Sequence, residues 1–400
     1  MELYLQMGHG MQSMCEDLSR YWGQSTTIVS PQNIQEQSLQ AFSSKMLKAN
    51  GKLLFDPQLY CPRKYQKNLV KWSYWPPEIT FVENGNAQQC GDLMRALASI
   101  NTGINTEYFI LPAQMTVAVD RRWNAIQKSY IDCADKHKGS LRLMQTLALT
   151  KEVLLNEHQI EGIVQYAEEW PVDGFYVTGV HPDKYYLVDN PVWMANLLAL
   201  VAGLKRQRKK VIVGYASHQM LCLALAKCDA IAAGNFLNVR WFKPEHFETL
   251  DEDSVSRRTK WYYCPQAFSE YKIPYLDIAK RLDVLDSMAP SIDMMSPYCE
   301  MLFSGTLPSA TGFTETHAHK HYLNCLQKQL SLASRASYNE TCNAHLLLLD
   351  TAEQFLRGLR EKDIRGQDRD FVEIFDANRA AISVFDAAYR MGLSMEWNQL

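Results

Sequence analysis

One carboxylate stands where chemistry could use it. Asp56 directly follows the strand-like run 52–55, KLLF, and Gln58 and Tyr60 come next. An acid, an amide and a phenol at a strand end can hydrogen-bond a ligand as donor and acceptor together. Other short apolar runs end in a similar way: at His9, Ser30, Gln114, Thr150 with Lys151, Thr178 with Gly179, Gly214 with Tyr215, Ser217 and His218, and Asn235 with Asn238. This set is rich in amides, hydroxyls and aromatic rings and poor in acids. It suits a neutral planar heterocycle better than a divalent cation, which needs several converging carboxylates or histidines. Any one of these residues is an ordinary loop polar group; the set carries the reading.

Three other groups compete for attention. His317, His319 and His321 fall in THAHKH, with His317 and His321 four apart on one helical face, but no Glu lies between them as in HExxH chemistry. The run is read as a solvated helix start, and no metal site is expected. The basic run 205–210, KRQRKK, precedes a strand and is read as a helix terminus favoured by the macrodipole. Arg257, Arg258 and Lys260 adjoin Trp261, Tyr262 and Tyr263, combining charge with stacking surface, and are a candidate nucleic-acid contact.

The elements that must position these residues are clearest over 210–242. Residues 211–214 are apolar and β-branched, 220–227 are rich in Ala and Leu, and 228–233 are apolar without alternation. Strand, helix and strand within about 25 residues form a parallel βα unit, and fully apolar strands mean that both sheet faces are covered. Further strands are predicted at 3–7, 26–30, 52–55, 108–111, 143–149 and 175–178. Helices are predicted at 11–21, 33–49, 88–100, 120–136, 157–169 and 191–204. Eight strands separated by helices over about 240 residues predict a (β/α)8 TIM-like barrel, with function at the C-terminal strand ends. A doubly wound sheet competes, but no GxGxxG turn supports it. Residues 243–400 differ in texture and predict a mainly helical C-terminal appendage packed on the barrel. Its stretch 261–313 is read as short helical pieces, and three amphipathic helices are expected at 314–334, 341–361 and 370–391.

Four hundred residues with 47% hydrophobic content can bury a large core, and a net charge of −3 gives no global basic signal. The ten cysteines form no CxxC pair and are read as reduced thiols. No signal peptide and no run of some 18 apolar residues is visible, so a cytoplasmic chain without a membrane contact is expected.

A resemblance follows from four segments in order. LLFDPQLY (53–60) looks like the strand end at which the tRNA-guanine transglycosylases carry the Asp of a DSGGFQ-type turn. VDGFYVTGV (172–180) is similar to that family's FDGYAVGGL-type segment, and the stretch 210–235 to its late strand–helix–strand unit. CNAHLLLLDTAEQFLRGL (342–359) resembles the helix bearing the family's zinc-binding His. The resemblance implies a barrel that binds guanine or 7-deazaguanine, free or carried by tRNA, DNA or a modified protein. It also points to the divergent members found in antiphage operons. Asp56 would then be the general acid or base and Tyr60 would stack on the base. Gln58, Gln114, Gly214 and Tyr215 would line the pocket, with the backbone of Thr178, Gly179 and Val180 along the base edge. Two departures stand out. The position of the family's nucleophilic Asp holds Ala232, and the CxCxxC zinc signature is missing, with Cys264, Cys299, Cys325 and Cys342 widely spread although His345 is present. No covalent exchange and no structural zinc are therefore expected, and no cofactor. The alternatives are a non-catalytic base-recognition subunit, or a barrel hydrolase or lyase of a small metabolite. A homodimer is allowed for.

Overall fold

A computed structural model describes residues 1–62, 66, 68–76, 87–183, 185–248 and 259–400. Eight parallel strands alternate with helices. The strands are β1 (Glu2–Gln6), β2 (Ser25–Val29), β3 (Gly51–Phe55), β4 (Tyr108–Ile110), β5 (Arg142–Leu149), β6 (Gly174–Gly179), β7 (Lys210–Val213) and β8 (Ala230–Ala233). The helices between them are α1 (Gln12–Trp22), α2 (Glu36–Lys48), α3 (Ala87–Gly103), α4 (Arg121–Asp135), α5 (Lys151–Leu154), α6 (Glu157–Ala167) and α7 (Pro191–Arg206). The hydrogen-bonded order runs β3-β2-β1-β8-β7-β6-β5-β4, and β3 and β4 come together without ladder bonds. The protein is thus a (β/α)8 barrel with one seam, as its pattern of short apolar strands predicts.

Alternation along each strand separates two cores. Leu3, Leu5, Val29, Phe55, Val177 and Val213 face outward and pack under the helices. Tyr4, Ile28, Leu54, Ile110, Met144, Tyr176 and Ile212 fill the barrel interior, with Ala148, Ala230 and Ala232 among them. Large and small side chains share interior layers, as barrel cores require. Tyr4 pairs with Ala232 in the β1–β8 register, so the small methyl at 232 lies beside a large ring.

The chain continues as α8 (Glu245–Glu248), the antiparallel hairpin β9 (Trp261–Cys264) and β10 (Ser269–Lys272), then α9 (Ile273–Arg281), α10 (Glu315–Ala333), α11 (Tyr338–Arg360) and α12 (Phe375–Glu396). α12 packs on α7, and α10 packs on β1 and β9. Three expectations need correction. The helix expected over 220–227 is a 3-10 helix, His218–Ala226, every residue of which is buried. It lies against α7, α10 and α11, and the slimmer 3-10 coil fits a space closed on all sides. The stretch 261–272, read as helical pieces, is the β9–β10 hairpin, whose aromatic residues suit a pleated, covered surface. The helices expected from 33 and 370 begin later, because Pro31–Asn33 and Phe371–Ile374 form separate 3-10 turns.

Candidate functional site

Asp56 sits just beyond the C-terminal end of β3, where its backbone N–H still donates to Val29 O at 3.1 Å. Its side chain is 1% exposed. Oδ1 accepts from the Gln58 backbone N–H at 3.0 Å and from Tyr60 Oη at 2.9 Å. Oδ2 accepts from Tyr60 at 2.9 Å, Tyr215 at 3.1 Å and, at the long end, Tyr176 at 3.5 Å. Burial pushes the carboxyl up to about 6, although these hydrogen bonds pull it the other way. The three phenols are raised well above their ordinary value, by burial first and by the neighbouring carboxylate second. The cluster therefore holds one proton that moves near neutral pH, while the tyrosines stay neutral donors.

The backbone is bent to make this cluster. Gln58 and Tyr215 both have positive φ, 53° and 52°. These residues are joined by a bond from Gln58 Nε2 to Tyr215 Oη at 2.9 Å. Non-glycine residues in this region carry strain of order 1–3 kcal/mol and persist where their surroundings fix them. Gly214 is required by proximity: a Cβ there would lie 2.3 Å from Tyr176 Oη.

Sequence reasoning reached Asp56, Gln58, Tyr60, Gly214 and Tyr215, which the fold brings together, but it missed Tyr176 and Gln6. The single hydroxyl proton of Tyr176 points to Gln6 Oε1 at 2.9 Å, with Asp56 Oδ2 the longer partner at 3.5 Å. Tyr176 lies within β6, and Gln6 is the last residue of β1. Their signal was available: Gln6 is an amide in an apolar strand, and period-two alternation sends it to the axis. Phe242 and Phe247 were also missed. With Tyr60 and Tyr215 they form a continuous set of edge contacts, at centroid separations of 4.9 Å for Tyr60–Phe242 and 5.1 Å for Tyr60–Phe247. The Tyr60 ring, expected to be open for stacking, is 2% exposed and covered by the chain's own rings.

The remaining candidates are less direct. Gln114 is half-buried on the loop after β4, which reaches Tyr60 through a Met115 N–H bond to Tyr60 O at 3.0 Å. The backbone of Val180 is already committed: its N–H donates to Leu149 O, and its carbonyl accepts from Trp193 Nε1. Thr178 and Gly179 lie in the β5–β6 ladder. A Cβ at Gly179 would meet Leu154 at 2.6 Å. Ala232 is fully buried in the barrel interior. Toward the C-terminal ends of β1, β2 and β6, three buried polar atoms have no hydrogen-bond partner among the described residues: Gln6 Nε2, Ser30 Oγ and Thr178 Oγ1.

The histidines of 317–321 go separate ways. His317 completes a capping box with Thr314, His319 packs on Phe236, and His321 Nε2 bonds to Tyr263 O at 2.8 Å. His345 is buried in α11, which lowers it to about 4. Cys264, Cys299 and Cys325, far apart in sequence, gather around Tyr262, and burial raises each thiol. Among the described residues no group of three or more His, Cys, Asp or Glu side chains could hold a metal. Tyr262 and Tyr263, considered above for stacking on nucleic acid, are buried at 0% and 1% exposure and cannot offer their faces. Arg257 and Arg258 lie outside the described residues. No helix among the described residues is long and apolar enough to cross a membrane.

Fold and site together define an α/β barrel protein with a tyrosine-bound carboxylate, Asp56, at its C-terminal mouth. No family model and no curated protein matches the chain. Among solved structures it is similar to a GH10 xylanase of Thermobacillus composti, at 9% identity over 82% of this chain and 96% of that one, with a TM-score of 0.38. It is likewise similar to a mutant of Xylanase10C from Cellvibrio japonicus in complex with xylopentaose, at 10% identity over 84% and 68%, with a TM-score of 0.39. At these scores the likeness carries no argument about chemistry.

Proposed function

We propose that this chain is a transglycosylase-like barrel protein that binds guanine or a 7-deazaguanine, free or attached to a macromolecule, around Asp56. The observation that supports this reading is the buried carboxylate at the end of β3, together with buried polar atoms toward the same ends of β1, β2 and β6 that have no partner among the described residues, Gln6 Nε2, Ser30 Oγ and Thr178 Oγ1. A guanine-type edge offers adjacent N–H donors and a carbonyl. An ionised Asp56 accepts from the former and an amide N–H of Gln6 donates to the latter. Buried polar groups are normally paired, so a polar ligand or water in their midst accounts for the orphans. Because Phe242 and Phe247 pack on the Tyr60 ring that donates to the carboxylate, stacking of a base on Tyr60 requires Phe247, on the short helix α8, to move aside.

Asp56 is the general acid or base of this reading, with a proton that transfers near neutral pH. A covalent glycosyl intermediate is not part of it. The matched position is Ala232, whose methyl cannot attack a glycosidic carbon. The same observation favours a second reading, a recognition subunit that binds the base without reacting.

Calorimetry with guanine and 7-cyano-7-deazaguanine tests the proposal. Phe247→Ala should tighten binding, and Asp56→Ala should weaken it about tenfold or more, the scale of one charge-assisted hydrogen bond. If neither the native chain nor Phe247→Ala binds either base, the proposal fails. A denaturation-resistant adduct with nucleic acid would refute the non-covalent part, and base release from a substrate would separate the two readings.

A further inference from the structure

The opposite end of the barrel holds two adjoining cavities. At the N-terminal mouth, a cavity of about 420 Å³ opens among the first residues of β1, β2, β3, β4 and β7. A second, of about 360 Å³, shares Glu2, Tyr4, Tyr108 and Lys210 with it. Lys210 begins β7, whose other end leads to Gly214 and Tyr215, so the strand separates this mouth from Asp56.

The charges here are unbalanced. Lys52 and Lys210 with Glu2 and Glu107 line the larger cavity, and the smaller adds Arg142, Lys205, Arg208 and Lys209 against Asp173 and Asp229. The positive surplus thus lies on the side of the smaller cavity, which shares Lys210, in a chain of net charge −3. Arg142 pairs with Glu107 at 3.2 Å and Lys205 with Asp229 at 2.9 Å. Among the described residues neither Lys52 nor Lys210 has a carboxylate at ion-pair distance. Lys210 Nζ is instead steered over two rings, 5.0 Å from the Tyr108 centroid and 5.7 Å from that of Tyr4. The rest of the larger cavity is rich in amides and hydroxyls, from Gln24, Asn50, Gln327 and Ser25. Ser25 Oγ is buried with no hydrogen-bond partner among the described residues.

We infer that this mouth binds a phosphorylated sugar, with the phosphate on Lys210 and Lys52 and the sugar hydroxyls on the amide and hydroxyl lining. Surplus cations in a walled concavity favour a dianion, and amides that both donate and accept match a polyol. The site is independent of the base-binding reading at the other mouth.

Isothermal titration of the full chain with ribose 5-phosphate, and with ribose as the uncharged control, tests this. The phosphate ester should bind and ribose should not, and added salt should weaken the binding. Lys210→Met and Lys52→Met should each weaken it about tenfold or more, while Asp56→Asn should leave it unchanged. Lys52 is exposed, so its variant decides the matter if Lys210→Met does not fold. Absence of binding at millimolar ribose 5-phosphate, equal binding of ribose, or affinity unaffected by Lys52→Met would overturn the inference. Binding of tRNA with none of ribose 5-phosphate would do the same, marking the surplus charge as a polyanion contact.

Discussion

Asp56 shows how one side chain can be both anchored and costly. Four donors reach its oxygens, yet burial dominates and raises it from 3.8 to about 6. A carboxyl raised in the folded state binds more protons there than when unfolded, so stability falls as pH rises from about 4 through 6. The full shift corresponds to about 3 kcal/mol. Asp56→Asn keeps the shape and removes the titration. Its urea or thermal stability should exceed that of the native chain above pH 6 by up to about 3 kcal/mol, and the two should converge below pH 4. A constant difference across that range would show that Asp56 is not the group that titrates. Stability gained by removing a buried charge is the usual mark of a site kept for function.

At the scale of elements, the cluster depends on how β6 and β7 approach. Tyr176 on β6 reaches the axis only because Gly214, just past β7, has no side chain. A Cβ would stand 2.3 Å from the phenol oxygen and 2.5 Å from the ring carbon bearing it. A rigid ring held on both sides cannot yield cheaply. Gly214→Ala should therefore cost about 1–3 kcal/mol through overpacking, read as a lower urea midpoint at unchanged slope. It should also shift the titration of Asp56 by displacing one of its donors. Tyr176→Phe removes the clashing oxygen but leaves the ring, so the double variant should recover only part of the loss. Retention of native stability by Gly214→Ala would mean that β6 and β7 are less tightly set than their contact implies.

Across the whole molecule, a buried charge cluster ties the barrel to the C-terminal region. Arg240, beyond β8, donates to Gly234 O, Asn235 O and Glu270 of β10. Arg369 reaches the same Glu270 at 2.8 Å. Burial opposes ionisation of Glu270, but Arg369 and Arg240 outweigh it and hold the carboxyl below its ordinary value. Its contribution is thus present above that ordinary value and is lost as pH falls. Glu270→Gln leaves Arg240 as an uncompensated buried charge and should cost roughly 3–5 kcal/mol, lowering the melting temperature more than Arg369→Met does, since Arg369 is partly solvated. Equal effects of the two substitutions in thermal melts would contradict this ranking.

What the chain determines by itself is the repeated local pattern. Unalternating apolar strands, helical faces and turn residues specify eight βα units, because burial of both sheet faces is written into strands such as AIAA at Ala230–Ala233. Placement at strand ends likewise singles out Asp56, Gln58, Tyr60 and Tyr215. Tertiary structure decided the rest. Whether Tyr60 stacks on a ligand or on Phe242 and Phe247 depends on where residues far along the chain fold back, and no local periodicity encodes that. The same holds for Tyr176 and Gln6, joined across 170 residues, and for three scattered cysteines gathered around Tyr262. The His218–Ala226 segment reads locally as an α-helix, and packing on every side made it a 3-10 helix. Secondary structure follows from short-range sterics and pattern; the electrostatics of Asp56 follow from burial, which only the assembled barrel creates.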